Sequence, residues 1–125
     1  MLKYSPLFAS FSVDDLAQAR QFYAEKLGLR VVEPGPPVLG LQAFNGHTVM
    51  LYEKPGHQPA TFTVLNFPVA DIDATVDELR AAGVEFEHYE EGGLRTNEKG
   101  IAKPGPLQAW FKDPAGNILS VVQEA

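Results

Sequence analysis

The chain of 125 residues contains no cysteine. Disulfides, thiolate metal sites and cysteine nucleophiles are therefore excluded, and the composition suits a reducing cytoplasm. No apolar run approaches the roughly 18 residues of a membrane span. The opening segment, MLKYSPLFAS, lacks the basic-then-apolar shape of a secretory signal. Basic residues are scarce, ten Lys and Arg against sixteen Asp and Glu, for a formal net charge of −6. A nucleic-acid partner, which needs a basic face to neutralise phosphates, is not expected. The excess acid mildly favours neutral or cationic ligands, although its simplest role is to keep the protein soluble. Histidine is limited to His47, His57 and His88, each in a turn or loop and not at the spacing of a metal site. They read as exposed loop residues, with His88, Glu90 and Glu91 as a loose cation site at most. No Ser/His/Asp set and no glycine-rich phosphate loop is visible.

What the chain does have is one pattern written twice. FSVDDLAQARQFYAEKLGLRVV runs from Phe11 to Val32, and FPVADIDATVDELRAAGVEFE from Phe67 to Glu87. Phe11, Val13, Asp15 and Leu16 match Phe67, Val69, Asp71 and Ile72. A repeat of this size means two similar supersecondary units. In the first, alternation over Leu7 to Val13 predicts a strand. Asp15 is a natural N-cap, with Gln18 in the capping-box position. Leu16, Ala19, Tyr23 and Leu27 share a helical face, with Phe22 beside it, and Gly28 can end the helix in the left-handed region. Strands follow at Leu29 to Val32, Val38 to Phe44 and Thr48 to Glu53, the last two joined across Asn45-Gly46, a strong hairpin signal. The second unit repeats the order. A strand at Phe62 to Phe67 precedes a helix capped by Asp71, with Ile72, Val76 and Leu79 as its core face. Strands at Val84 to Glu87, Leu107 to Phe111 and Ile118 to Val122 complete it. Gly46 and Gly116 match at a larger offset than the helices do, so the second unit carries about 15 extra residues. They fall in 88–106, HYEEGGLRTNEKGIAKPGP, which is too irregular for an element and long enough for a functional loop or lid. The expected organisation is one domain, 1–125, with modules at 7–53 and 60–123.

Two β-α-β-β-β units resemble the vicinal oxygen chelate superfamily: glyoxalase I, bleomycin resistance proteins, fosfomycin-resistance enzymes and extradiol dioxygenases. The motifs carrying the resemblance are Val-x-Asp-Leu/Ile at each helix start, Phe22-Tyr23, Leu27-Gly28-Leu29, and Phe111-Lys112-Asp113-Pro114-Ala115-Gly116-Asn117. It covers essentially the whole chain. It implies an α+β fold in which two βαβββ modules form a curled, incomplete eight-stranded barrel around a cavity, in a homodimer. The combination is specific for fold and not for reaction.

Metal-dependent members of that superfamily place four ligands in the cavity, one in the first and one in the last strand of each unit. Counting from Asp15 and Asp71 puts the first-strand positions at Phe8 and Val64. Counting from Gly46 and Gly116 puts the last-strand positions at Met50 and Ser120. Three apolar residues and a lone hydroxyl cannot hold a hard or borderline cation. No metal and no cofactor is therefore expected. Strand alternation adds Ser10, Thr48, Tyr52, Asn66 and Ile118 to the same faces. The expected ligand cavity comprises Phe8, Ser10, Met50, Tyr52, Val64, Asn66, Trp110 and Ser120, polar groups in an apolar setting that suits a small molecule. Trp110, the only Trp, is placed either to stack on a ligand or to fill the core. The expected function is a metal-free, cytoplasmic small-molecule-binding protein that sequesters a toxic or antibiotic-like ligand. The alternative is an enzyme of lyase, isomerase or dioxygenase type, with a displaced site using Tyr52, loop carboxylates or His88.

Overall fold

The computed structural model describes residues 1–103 and 105–123. The chain divides into two compact units, Met1–Gln58 and Pro59–Ala125. Each is built from one mixed sheet and one helix, an α+β arrangement, and neither sheet closes on itself.

In the first unit, β1 (Ser10–Val13) leads into α1 (Leu16–Gln21). β2 (Arg30–Gly35), β3 (Val38–Gln42) and β4 (Thr48–Glu53) follow. The sheet order is β1-β4-β3-β2, with β1 parallel to β4. Asp15 starts the helix as its sequence position predicts, its Oδ1 accepting from the Gln18 amide at 3.0 Å. The helix then widens into a π turn over Phe22–Lys26, with the Leu27 amide bonded to the Phe22 carbonyl. This turn packs Phe22 edge-on against Tyr23, ring centres 5.2 Å apart, and both rings are buried. Gly28 ends the element at φ +70°. The strand expected from Leu7 starts only at Ser10. The first ladder bond runs from the Met50 amide to the Ala9 carbonyl, and Leu7 and Phe8 remain exposed upstream of it.

The second unit begins with β5 (Thr63–Pro68) and α2 (Ile72–Ala81). Asp71 Oδ1 caps α2 through the Ala74 amide at 3.1 Å. Ile72 and Val76 are fully buried on one helix face, each contributing about 1.5–3 kcal/mol by burial. β6 (Arg95–Thr96), β7 (Ile101–Lys103), β8 (Leu107–Lys112) and β9 (Ile118–Gln123) complete a sheet of order β5-β9-β8-β7-β6. Two expectations need revision. The strand predicted over Val84 to Glu87 reduces to a single bridge, Phe86 to Phe111. And 88–106 is not wholly irregular, because it holds the short β6–β7 hairpin. Asn97 organises the turn, its Oδ1 accepting from the Lys99 and Ile101 amides at 2.9 Å. β7 then pairs with the first half of β8, through Ile101–Ala109 and Ala102–Gln108, leaving only its second half to Phe86.

Candidate functional site

Residues directly opposite on neighbouring strands project from the same sheet face. In the first unit, Ser10 lies opposite Met50 and Ser12 opposite Tyr52. Gly40 of β3 lies beside Met50. A Cβ at Gly40 would meet Val32 Cγ2 at 2.6 Å and Thr48 Cγ2 at 3.3 Å, so glycine lets these side chains close over the strand. Ser10, Met50 and Tyr52 therefore share one face. Phe8 is not in the sheet; it precedes β1 and is 66% exposed. His57, expected to be an exposed loop residue, is half-buried, and its Nδ1 shares a 2.7 Å hydrogen bond with the Ser12 hydroxyl.

The second unit carries a connected polar network. Asn66 lies opposite Ser120, and Ser120 opposite Trp110. Ser120 is fully buried, and both hydrogen-bonding roles of its hydroxyl are occupied. It donates to Asn66 Oδ1 and accepts from Gln108 Nε2 at 3.1 Å. Gln108 Nε2 also reaches Asn66 Oδ1 at 3.4 Å. A bulge interrupts β5 between the Thr63–Ile118 and Leu65–Leu119 pairs, at Val64. Beside it the Thr63 hydroxyl accepts from the Trp110 indole N–H at 3.1 Å. Tyr89 packs edge-on against Trp110, ring centres 5.6 Å apart. Trp110 is thus held by its N–H and by the T-shaped contact with Tyr89, and is half-buried. The pairing brings Asn66 and Ser120 together on the face that alternation implied, and Trp110 lies opposite Ser120. Thr63 and Gln108 were missed. Gln108 stands two residues before Trp110, so the alternation that placed Asn66 also signals it.

Next to this face the inserted hairpin encloses an open cavity of about 640 Å³, lined by Tyr89, Thr96, Leu94 and the carboxylates of Glu90, Glu91 and Glu98. Burial and the neighbouring Glu87 carboxylate push the Tyr89 phenol above its usual range, and Lys112 opposes them in part. Lys99 lies at the base of the hairpin. Its ammonium is held protonated above the ordinary lysine range by hydrogen bonds to Asp77 and Asp73, at 3.0 and 3.1 Å. His88 donates from Nε2 to the Glu98 carbonyl at 3.0 Å. Among the described residues no three His, Asp or Glu side chains converge in a way that would hold a metal ion.

A family model of the Glyoxalase/Bleomycin resistance protein/Dioxygenase superfamily matches residues 7–121. The chain belongs to this superfamily. Solved structures with the same fold include TnmS3, an antibiotic binding protein from Streptomyces sp. CB03234. It is 26% identical, with a TM-score of 0.70, over 94% of this chain and 93% of that one. A glyoxalase/bleomycin resistance protein from the same Streptomyces strain is also 26% identical, with a TM-score of 0.65, over 93% and 97%. A third, from Catenulispora acidiphila, is 22% identical, with a TM-score of 0.67, over 95% and 97%. No curated protein sequence matches the chain significantly. The superfamily's metal chemistry needs imidazole and carboxylate donors. The positions where such donors are expected hold Phe8, Met50, Val64 and Ser120, and the Ser120 oxygen is already engaged on both sides. This donor set does not fit a divalent metal.

Proposed function

We propose that this superfamily member is a metal-independent small-molecule-binding protein that sequesters an antibiotic-like ligand. The observation that carries the reading is the second sheet's face, where an immobilised indole lies beside a neutral amide and hydroxyl network. Few, well-placed polar groups against an apolar surface are what a binding site requires, and the network of Asn66, Gln108 and Ser120 contains no ionisable side chain. The antibiotic binding protein TnmS3, similar over almost the full chain, supports the same reading. On the first unit, Ser10, Met50 and Tyr52 form a second lining surface, with Phe8 at its margin. The protein acts as a homodimer in the cytoplasm. Support for the dimer is the exposed apolar N-terminal stretch of Leu2, Tyr4, Leu7 and Phe8, surface that a monomer gains by covering.

The test is a screen of aromatic antibiotics by calorimetry, run on protein incubated with EDTA and on protein loaded with Zn, Ni, Mn or Fe(II). Binding of equal strength in every sample is expected, without chemical change in the recovered ligand. Binding that requires a stoichiometric metal, or conversion of the ligand, refutes the proposal. Light scattering should give twice the mass of one chain.

A further inference from the structure

The polar network on the second sheet is satisfied on its inner side only. Asn66 Oδ1 accepts from Ser120 and Gln108, and Gln108 Nε2 is spent on Ser120 and Asn66. Two groups remain: the Asn66 Nδ2 amide, a donor, and the Gln108 Oε1 carbonyl, an acceptor. Neither has a partner among the described residues. A flip of one amide alone would break its bond to the serine or to its fellow amide, and a flip of both together still leaves one donor and one acceptor over, so the pairing of opposite roles is fixed. An adjacent donor and acceptor are the complement of an amide or lactam edge, which offers an acceptor and a donor in turn.

The surroundings select further. Trp110 stands opposite Ser120, with its indole N–H consumed by Thr63, so it offers a ligand only its ring. A planar ring can lie on that surface, as aromatic groups do at offset-stacked distances. Charge is disfavoured. Lys112, at the far end of β8, is paired with Glu87 at 3.3 Å. The neighbouring cavity presents Glu90, Glu91 and Glu98, which repel an anion.

The geometry points to a ligand class: a neutral, planar aromatic molecule bearing a lactam or carboxamide edge. Its C=O accepts from Asn66 Nδ2, its N–H donates to Gln108 Oε1, and its ring lies on Trp110. This rests on the reading of the protein as a small-molecule binder and narrows it.

Three probes of similar shape separate the contributions. Quinolin-2-one carries the lactam edge, 2-methoxyquinoline keeps the ring and loses the donor, and quinoline-2-carboxylate adds a negative charge. The single Trp gives one indole N–H signal in a ¹⁵N correlation spectrum, which reports on the site directly. Quinolin-2-one should shift that signal and bind at least fivefold more tightly than the methoxy compound, about what one or two neutral hydrogen bonds supply. The carboxylate should bind most weakly. Asn66→Asp keeps the acceptor for Ser120 and Gln108 and removes the outward donor. It should abolish the lactam preference while leaving the rest of the spectrum in place. If all three rings shift the Trp110 signal with equal affinity, the lactam pairing is wrong although the binding face stands. If none shifts it at millimolar concentration, both the pairing and the binding face are wrong.

Discussion

Asp113 offers the sharpest test of how the second unit is held together. It is buried and closes the turn between β8 and β9. Its Oδ1 accepts from the Ala115 and Asn117 amides at 3.0 and 2.8 Å, and its Oδ2 accepts from Asn117 Nδ2 at 3.0 Å. Asn117 is only 2% exposed, so water cannot replace the carboxylate there. Asp113→Ala removes the carboxylate acceptor of two buried donors on Asn117, at about 1–3 kcal/mol each. The Ala115 amide is half-buried and recovers a water, and removing a buried carboxylate returns part of its desolvation cost. The net loss is about 3 kcal/mol. An unfolding entropy near 2.1 cal/mol/K per residue makes this a fall in Tm of roughly 11 °C for a chain of this length. Asp71→Ala is the internal standard: it removes an exposed N-cap bond, costing about 1 kcal/mol or roughly 4 °C. Both variants go through scanning calorimetry beside the parent protein. Asp113→Asn should also be well below the parent, because its NH₂ faces a donor at Oδ1 or Oδ2. A fall for Asp113→Ala no larger than that for Asp71→Ala would refute the assignment of Asp113 as the anchor of this turn.

Gly40→Ala should lose about 1–3 kcal/mol by overpacking against Val32; adding Val32→Ala should restore part of the loss in urea unfolding, and an additive double variant contradicts the steric cause. Tyr89 and Lys99 both hold their protons more tightly in the folded chain than in the unfolded one. The unfolded state therefore releases them first once the pH passes about 10, and stability falls from there upward. Tyr89→Phe should be less stable relative to the parent at pH 8 than at pH 11, and the same holds for Asp73→Asn with Asp77→Asn; a constant difference in urea midpoint across this range contradicts the assignment. Thr63→Val frees the Trp110 N–H, and should shift its ¹⁵N indole signal and lower stability by about 1 kcal/mol. An unmoved signal excludes the bond.

The repeat made most of the scaffold legible because its spacing is the strand register. The offset joining Phe11 to Phe67 also joins Ser10 to Asn66. The offset joining Gly46 to Gly116 also joins Met50 to Ser120. In the folded chain Ser10 lies opposite Met50, and Asn66 opposite Ser120. Both N-caps were readable as well, since a carboxylate three residues before a free helical amide is a local device. What failed was non-local. Val84 and Phe86 alternate inward as a strand would and are buried, yet β7 from the insertion takes their place along half of β8. Nothing near Val84 announces a competitor that begins at Ile101. Phe8 missed the face because strand pairing starts at Ala9, which depends on where β4 begins. The Ser12–His57 bond joins positions far apart in sequence, and only the parallel pairing of β1 with β4 makes it visible.

The two units differ in a way that separates scaffold from site. At each helix start the first free amide is met by the last residue of the parallel strand. Leu16 N–H donates to Glu53 at 3.2 Å, and Ile72 N–H to Gln123 at 2.8 Å. These positions match across the repeat, although the acid in one unit has become an amide in the other. The contact survives because either side chain satisfies an otherwise orphaned helical donor. The open faces follow no such rule. Ser10 and Met50 form no hydrogen-bonded pair, whereas Asn66, Ser120 and Gln108 form a closed network around a buried hydroxyl. A buried hydroxyl must be fully satisfied or it destabilises the sheet, while a Met at the matching place asks for nothing. The network therefore demands two further polar side chains to remain stable, and in meeting that demand it leaves one donor and one acceptor without a partner among the described residues. On the proposed reading, polar specificity falls to the second unit, and Met50 and Tyr52 of the first contribute apolar surface.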